Sequence, residues 1–254
     1  MRALGPDFDA ELNRLNAYYE NIYKPTAKPQ QQWNALHPLE FGYRSQQLKC
    51  LAEMLYAQGF VSLEGMRILD VGCGTGRLLG SLGAVGARPD MLEGIDLNSD
   101  AIKFAKERYP GISFQCVQGG HIPFPDNYFD LVIQSVVFSS IALPGLRQHL
   151  ASEMLRVTRG GGFVYWWDMP CTLREYGSES IAPMILFPGL VCTRRNVAWL
   201  PKPSEGIAKR RWRYSVGWVM DLVAARPTHV AALLGPKIAG DFGEADSKPQ
   251  KQTR

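Results

Sequence analysis

A chain of 254 residues with 46% hydrophobic content is long enough for one sizeable core and too apolar for a disordered polymer. Its net charge of +4 lies partly in the terminal run Lys248 to Arg254, which leaves too small an excess to argue a nucleic-acid partner. No uninterrupted apolar run is long enough for a membrane span, and the first twenty residues are polar and helix-like rather than a secretory core.

The cysteines, Cys50, Cys73, Cys116, Cys171 and Cys192, are widely spaced and form no CxxC pair. Neither a zinc site nor a disulfide framework is expected, and a reduced, cytoplasmic setting is.

In chain order, Phe8, Leu12, Leu15 and Tyr19 recur at helical spacing and predict an amphipathic helix. The proline- and glutamine-containing stretch Tyr23 to Pro38 reads as an extended connection. A second helix is expected over Glu40 to Gln58, ended by Gly59. From Met66 the pattern changes. Met66–Val71, Leu92–Asp96, Ile112–Val117, Phe129–Gln134 and Gly162–Asp168 read as strands, with helices over Asp100–Arg108 and Leu146–Val157. Strands separated by helices imply a parallel, doubly wound sheet, because each parallel pair needs a crossover. Two further strands are expected at Val191–Trp199 and His229–Leu234, with a basic helical segment, Ile207 to Ala225, between them. The polar stretch 240–254 lacks periodicity and is expected to be disordered.

The first strand runs into Gly72-x-Gly74-x-Gly76. Glycines let a backbone turn tightly and approach a ligand where a Cβ would collide. A dinucleotide site would show GxGxxG, with helix amides gripping a pyrophosphate. Here the third glycine comes one residue early, and Arg77 stands where the fingerprint has glycine. Asp70, just before the loop, would repel a pyrophosphate but attract the ammonium of an amino-acid moiety. Asp96 ends the second strand, where an acid accepts hydrogen bonds from ribose hydroxyls in nucleoside-binding α/β folds. Helix capping is its alternative role, although Asn98 and Ser99 are also placed for that.

The segments Ile68-Leu69-Asp70-Val71-Gly72-Cys73-Gly74-Thr75-Gly76-Arg77 and Gly94-Ile95-Asp96-Leu97-Asn98 resemble motifs of class I S-adenosylmethionine-dependent methyltransferases. So do Ile122 to Val132 (IPFPDNYFDLV) and Leu155 to Gly162 (LRVTRGGG). All four blocks occur in that family's order and spacing. Gln134 to Ile141 and the Leu186–Gly189 turn look like a bacterial branch acting on small molecules.

The resemblance implies a Rossmann-like α/β fold: a seven-stranded doubly wound sheet, last strand antiparallel, helices on both faces, and an N-terminal helical cap. It implies a cap or lid over residues 1–58, a core with a C-terminal antiparallel hairpin over 59–239, and a tail over 240–254. The implied cofactor is S-adenosyl-L-methionine, with S-adenosyl-L-homocysteine as product. Asp70, Gly72, Cys73, Gly74 and Gly76 would hold its methionine end, Asp96 its ribose, and Leu97 its adenine face. Gln118 would reach the adenine amino group as a neutral acceptor, and Gly119 and Gln134 would complete the cofactor set.

The acceptor side is less marked. Many relatives carry His-His after the fourth strand, where this chain has Ser139-Ser140. Asp168 is the candidate for touching the acceptor or taking its proton, against a cap or turn role. His121 lies in a loop and reads as exposed, and His37 and His149 as surface or helix residues. Tyr18, Tyr19, Tyr23, Trp33 and Tyr43 precede the core. Aromatic rings suit a sulfonium or an apolar substrate, or dock helices, so one or two of the five are expected at the site together with Phe138. The expected partner is a small-molecule acceptor offering an oxygen, nitrogen or carbon nucleophile, with no membrane span and a homo-oligomer open. The basic run Lys209 to Arg213 raises RNA or protein methylation as the alternative, but it also fits a solvated helix face, and the strand-four exit lacks the Pro-Pro-aromatic element of base methyltransferases. A non-catalytic cofactor-binding protein is the other alternative. No metal is expected.

Overall fold

The computed structural model describes residues 5–23, 38–118, 120–168, 186–187, 190–197 and 229–235. The connection 24–37, the basic segment 207–225 and the stretch 240–254 lie outside the described residues. Two long helices, α1 (Pro6–Tyr23) and α2 (Pro38–Tyr56), precede the sheet. Then come β1 (Ile68–Val71), α3 (Arg77–Leu82), β2 (Leu92–Asp96), α4 (Ser99–Arg108), β3 (Ser113–Cys116), β4 (Phe129–Ser135), α5 (Pro144–Val157) and β5 (Thr158–Asp168). Strands β6 (Val191–Val197) and β7 (His229–Gly235) follow.

Local signals account for most of these limits. Asn98 caps α4, its side-chain oxygen accepting from the Ala101 amide at 2.8 Å. Pro144 opens α5, where its missing N–H costs nothing. Beyond α2 the chain turns through Gly59 at φ +88°, which a residue with a Cβ rarely adopts.

The sheet order is β3-β2-β1-β4-β5-β7-β6. Strands β1 to β5 pair in parallel, whereas β7 runs antiparallel between β5 and β6. This is a mixed α/β, Rossmann-like architecture. The order reverses between β1 and β4, so their carboxyl ends open a crevice there, the usual ligand position in such sheets.

Alternation along the strands divides the core into two layers. Ile68, Leu131, Ile133, Phe163, Tyr165 and Trp167 face α2, α3 and α4, while Leu69, Val71, Val132, Val164 and Trp166 face α1 and α5. Trp166 and Trp167 are adjacent on β5 yet both fully buried, because the sheet is covered on both faces. The amphipathic stripe on α1 is used as its spacing predicts: Leu15 is buried, and Phe8, Leu12 and Tyr19 pack on the same cluster.

Candidate active site at the carboxyl edge of the sheet

The glycine loop leaves β1 with three successive left-handed glycines, Gly72 at φ +73°, Gly74 at +52° and Gly76 at +72°. The amides of Gly72 and Cys73 both donate to the Ile95 carbonyl, at 2.8 and 3.0 Å, which ties the turn to β2. Space is as demanding as conformation. A Cβ on Gly72 would lie 2.4 Å from Val137 Cγ2, and one on Gly76 would lie 2.6 Å from Phe114 Cζ. Cys73 is buried, and burial pushes its thiol well up, so it serves as packing rather than as a nucleophile.

Asp96 holds this loop. Its Oδ2 accepts from the Gly74 amide at 2.8 Å and its Oδ1 from the Asn98 amide at 2.9 Å. Burial raises its pKa, and the backbone amides oppose that rise. Two amides do not exhaust a carboxylate, which offers about four lone-pair sites. Leu97 is half-buried beside it and Gln118 is exposed. Residues 116–117 lie against the same strand end, with Val117 N donating to the Asp96 carbonyl at 2.9 Å.

Asp70 is the least satisfied group of the crevice. It is 2% exposed, and its Oδ1 has no hydrogen-bond partner. Burial raises its pKa to about 8, opposed by the Arg44 guanidinium and reinforced by Asp96. Arg44, on α2, carries a buried Nε that makes no hydrogen bond, 3.7 Å from Glu40. Arg77 also leans on Glu40, at 3.4 Å, so one carboxylate serves two guanidiniums. A buried carboxyl without a donor and a half-buried guanidinium near it suit a zwitterionic amino-acid group.

The other side of the crevice is organised by the loop after β4. Val136 adopts φ +59°, an outlier for a β-branched residue. Its amide donates to the Trp167 carbonyl at 2.8 Å and its carbonyl accepts from Ser140 Oγ at 3.0 Å, which holds the bend. The bend sets Val137 over Gly72. Gln134 is fully buried, its Oε1 accepting from the Val137 amide at 3.1 Å and its Nε2 unpartnered.

Two expectations need correction here. Phe138 is fully buried, its ring 4.5 Å from Trp166 and 6.4 Å from Phe187, so it is core and not acceptor wall. Asp168 is 1% exposed, and its Oδ2 accepts from the amides of Phe138 and Ser139 at 3.1 and 3.3 Å. Those contacts make it the anchor of the loop, the turn role that its strand-end position also allowed.

Of the aromatic residues before the core, Tyr19 and Tyr43 reach this edge. Tyr19 OH lies 2.7 Å from Ser140 Oγ, and Tyr43 OH accepts from Trp167 Nε1 at 2.7 Å. Burial raises the pKa of both phenols, so both remain neutral donors and acceptors. Tyr18 is 58% exposed, its ring edge against Tyr19. Trp33, Gly119, His37 and the side chain of Tyr23 lie outside the described residues.

Sequence reasoning missed the charged clamp beneath this loop. Glu11 accepts from the Ala142 and Leu143 amides, Arg14 donates to the Ser140 carbonyl at 2.6 Å, and Arg147 to that of Ile141 at 2.7 Å. Burial raises the Glu11 pKa, but Arg14 and the two amides outweigh it and hold the carboxyl below its usual range. Glu11 and Arg14 stand three residues apart on a helix and read from sequence as a surface ion pair. Nothing local marks a partner some 130 residues away. Among the described residues no cluster of His, Cys, Asp and Glu could hold a metal, and no helix is long and apolar enough to cross a membrane.

Residues 69–166, which run from within β1 to within β5 and include the glycine loop, match the family described as a methyltransferase domain. Over that stretch the chain is similar to a methyltransferase domain. The chain is 40% identical over 108 residues to a fatty-acid O-methyltransferase of Mycolicibacterium smegmatis, covering 42% of this chain and 38% of that one. It is 36% identical over 111 residues to a phthiotriol/phenolphthiotriol dimycocerosates methyltransferase of Mycobacterium tuberculosis, covering 43% and 40%. The chain thus spans about two fifths of the length of these curated relatives. In fold, the domain and its additions resemble the N-methyltransferase NodS of Bradyrhizobium japonicum, solved with S-adenosyl-l-homocysteine. That match has a TM-score of 0.61 and 18% identity, over 88% of this chain and 99% of that one.

Proposed function

We propose that the protein transfers the methyl group of S-adenosylmethionine to a small molecule with an apolar body. The observation that carries this reading is the buried Asp70 carboxyl with an unpartnered oxygen at the foot of the glycine loop. Such a group invites a cation, and the cofactor's amino-acid end is cationic where Asp70 would meet it. In this reading Arg44 takes the cofactor carboxylate, Asp96 the ribose hydroxyls, Leu97 the adenine face and Gln118 the adenine amino group. The glycines leave room for close approach, Cys73 packs beneath them, and Gln134 offers an amide proton at the end of β4.

The bound cofactor supplies an electrophilic methyl on a sulfonium, and the protein supplies position and a dry wall. Tyr19 and Tyr43 are assigned to the acceptor side, as neutral hydroxyls that orient a nucleophile. Residues 1–58 act as a cap over a 59–239 core, supported by the docking of α1 on residues 138–143. The name of the fatty-acid O-methyltransferase motivates a lipid-like acceptor with an oxygen nucleophile.

Replacing Asp96 by Ala should weaken S-adenosylhomocysteine binding by about 1–3 kcal/mol, since ribose hydroxyls lose a charged acceptor and Gly74 its anchor. Calorimetry decides it, and unchanged affinity removes Asp96 from the site. Methyl transfer is tested with labelled S-adenosylmethionine and a long-chain fatty acid as probe. A labelled ester supports the reading of the acceptor. No label on this acid or on a panel of apolar alcohols and phenols would refute it.

Asp168 yields a separate test. An Asn side-chain oxygen can accept the same two amides, whereas Asp168→Ala strands two buried N–H groups and should cost about 2–5 kcal/mol of stability. Asp168→Asn should keep the melting temperature and the pH–rate profile of the parent. A lost alkaline limb in the Asn variant would restore Asp168 as the proton acceptor.

A further inference from the structure

A second charged cluster lies away from the acceptor side, between α5 and the loop that follows β3. Glu153 and Arg156 stand three residues apart on α5, joined by two hydrogen bonds of 2.8 Å. Unlike an ordinary helix pair, they grip the backbone of another segment. Glu153 Oε2 accepts from the Ile122 amide at 2.9 Å and lies 2.7 Å from His121 Nδ1. Arg156 Nη2 donates to the Ile122 carbonyl at 2.7 Å, and Nη1 donates at 2.8 Å to both the Phe124 carbonyl and Asp126 Oδ1.

This is more than packing requires. Ile122 is already buried in the core, which would hold one point of the loop. The fork of Arg156 fixes the carbonyls of Ile122 and Phe124, two residues apart, and the Asp126 side chain, so the direction of the backbone is set as well as its place. The segment needs that help, since it leaves β3 through Gln118 and then Gly119 and Gly120, the latter at φ +67°. Glycines are the residues that cost most to order. At its other end, Val117 is tied to the Asp96 carbonyl. Gln118 and Gly120 therefore lie between two fixed points, Asp96 on one side and the Glu153–Arg156 pair on the other.

We infer that Arg156, supported by Glu153, is a positioning residue for the adenine end of the cofactor: it pre-orders the loop at residues 120–124 so that Gln118 reads the base. The inference rests on the cofactor reading above. Arg156 touches no ligand in this account. It acts by removing the ordering cost that a glycine-containing loop would otherwise impose on binding. Its loss should be felt as lost discrimination between bases, more than as lost fold.

The test compares S-adenosylhomocysteine with its inosine counterpart, which carries oxygen in place of the adenine amino group, by calorimetry on the full chain. The parent should prefer the adenine compound. In Arg156→Met its affinity should fall by about tenfold while that of the inosine compound stays, so the preference collapses. Amide exchange should quicken at 118–124 and not elsewhere. Arg156→Lys retains charge but not the fork and should behave in the same direction, which keeps the test decisive if the Met variant does not fold. Preference retained in a folded variant overturns the inference, as does an equal loss for both compounds with faster exchange throughout the sheet. If the parent binds neither compound, the cofactor reading fails first and the inference falls with it.

Discussion

Asp70→Asn should weaken S-adenosylhomocysteine binding by about 3–5 kcal/mol at alkaline pH, the usual cost of removing one partner of a buried charge pair. The loss should be smaller at pH 6 than at pH 8.5. With a pKa of about 8 in the free protein, Asp70 is mostly protonated at neutral pH and must lose its proton to meet an ammonium. Parent affinity should therefore climb with pH between 6 and 8 at close to tenfold per unit, whereas the Asn variant should show no such slope. Folding changes in the opposite sense. A carboxyl whose folded pKa is raised above its unfolded value of 3.8 makes the free chain lose stability as pH rises from about 4 through 8. The Asn variant lacks that loss, so at pH 9 without ligand it should melt above the parent. Thermal melts at pH 6 and 9, with and without ligand, check both signs. A variant that binds as tightly as the parent would leave the crevice without its main anchor.

Gly72→Val should be the most damaging change in the loop. The residue sits at φ +73° and its Cβ would fall 2.4 Å from Val137 Cγ2. A β-branched residue in that backbone region costs about 1–3 kcal/mol, and overpacking adds about 1–3 more. Relief requires Val137 to move, and Val137 belongs to the bend held by Val136, Ser140 and Trp167. The expected outcome is a folded protein destabilised by about 2–6 kcal/mol with no measurable ligand binding. Denaturant unfolding and calorimetry give the two numbers. Gly72→Ala keeps the backbone strain and the Cβ contact but lacks the branch, so it should fall between the parent and Val.

The features legible in the sequence are those whose cause is local. Asn98 caps the helix after β2 because its side chain and the Ala101 amide are three residues apart, and the glycine loop is written in consecutive residues. Asp96 is legible as the last residue of its strand, but its grip on the Gly74 amide depends on how β1 and β2 align, which no local pattern records. The misreadings arise where function and packing use the same residue type. Phe138, an aromatic residue expected at the acceptor, follows the strained turn at Val136 and packs on Trp166 instead. Asp168 stands at the rim, but the same turn brings two amides to its carboxylate. Glu11, Arg14 and Arg147 converge only in three dimensions, and α1 lies outside the matched domain.

The account turns on whether this crevice takes a zwitterionic nucleoside thioether onto Asp70. Calorimetric titration of the parent with S-adenosylhomocysteine near pH 7, in two buffers of different ionisation heat, counts the protons exchanged on binding. The account predicts saturable binding with release of close to one proton, vanishing in Asp70→Asn and above pH 9 in the parent. Absence of binding, or binding with no proton released at pH 7, would contradict it.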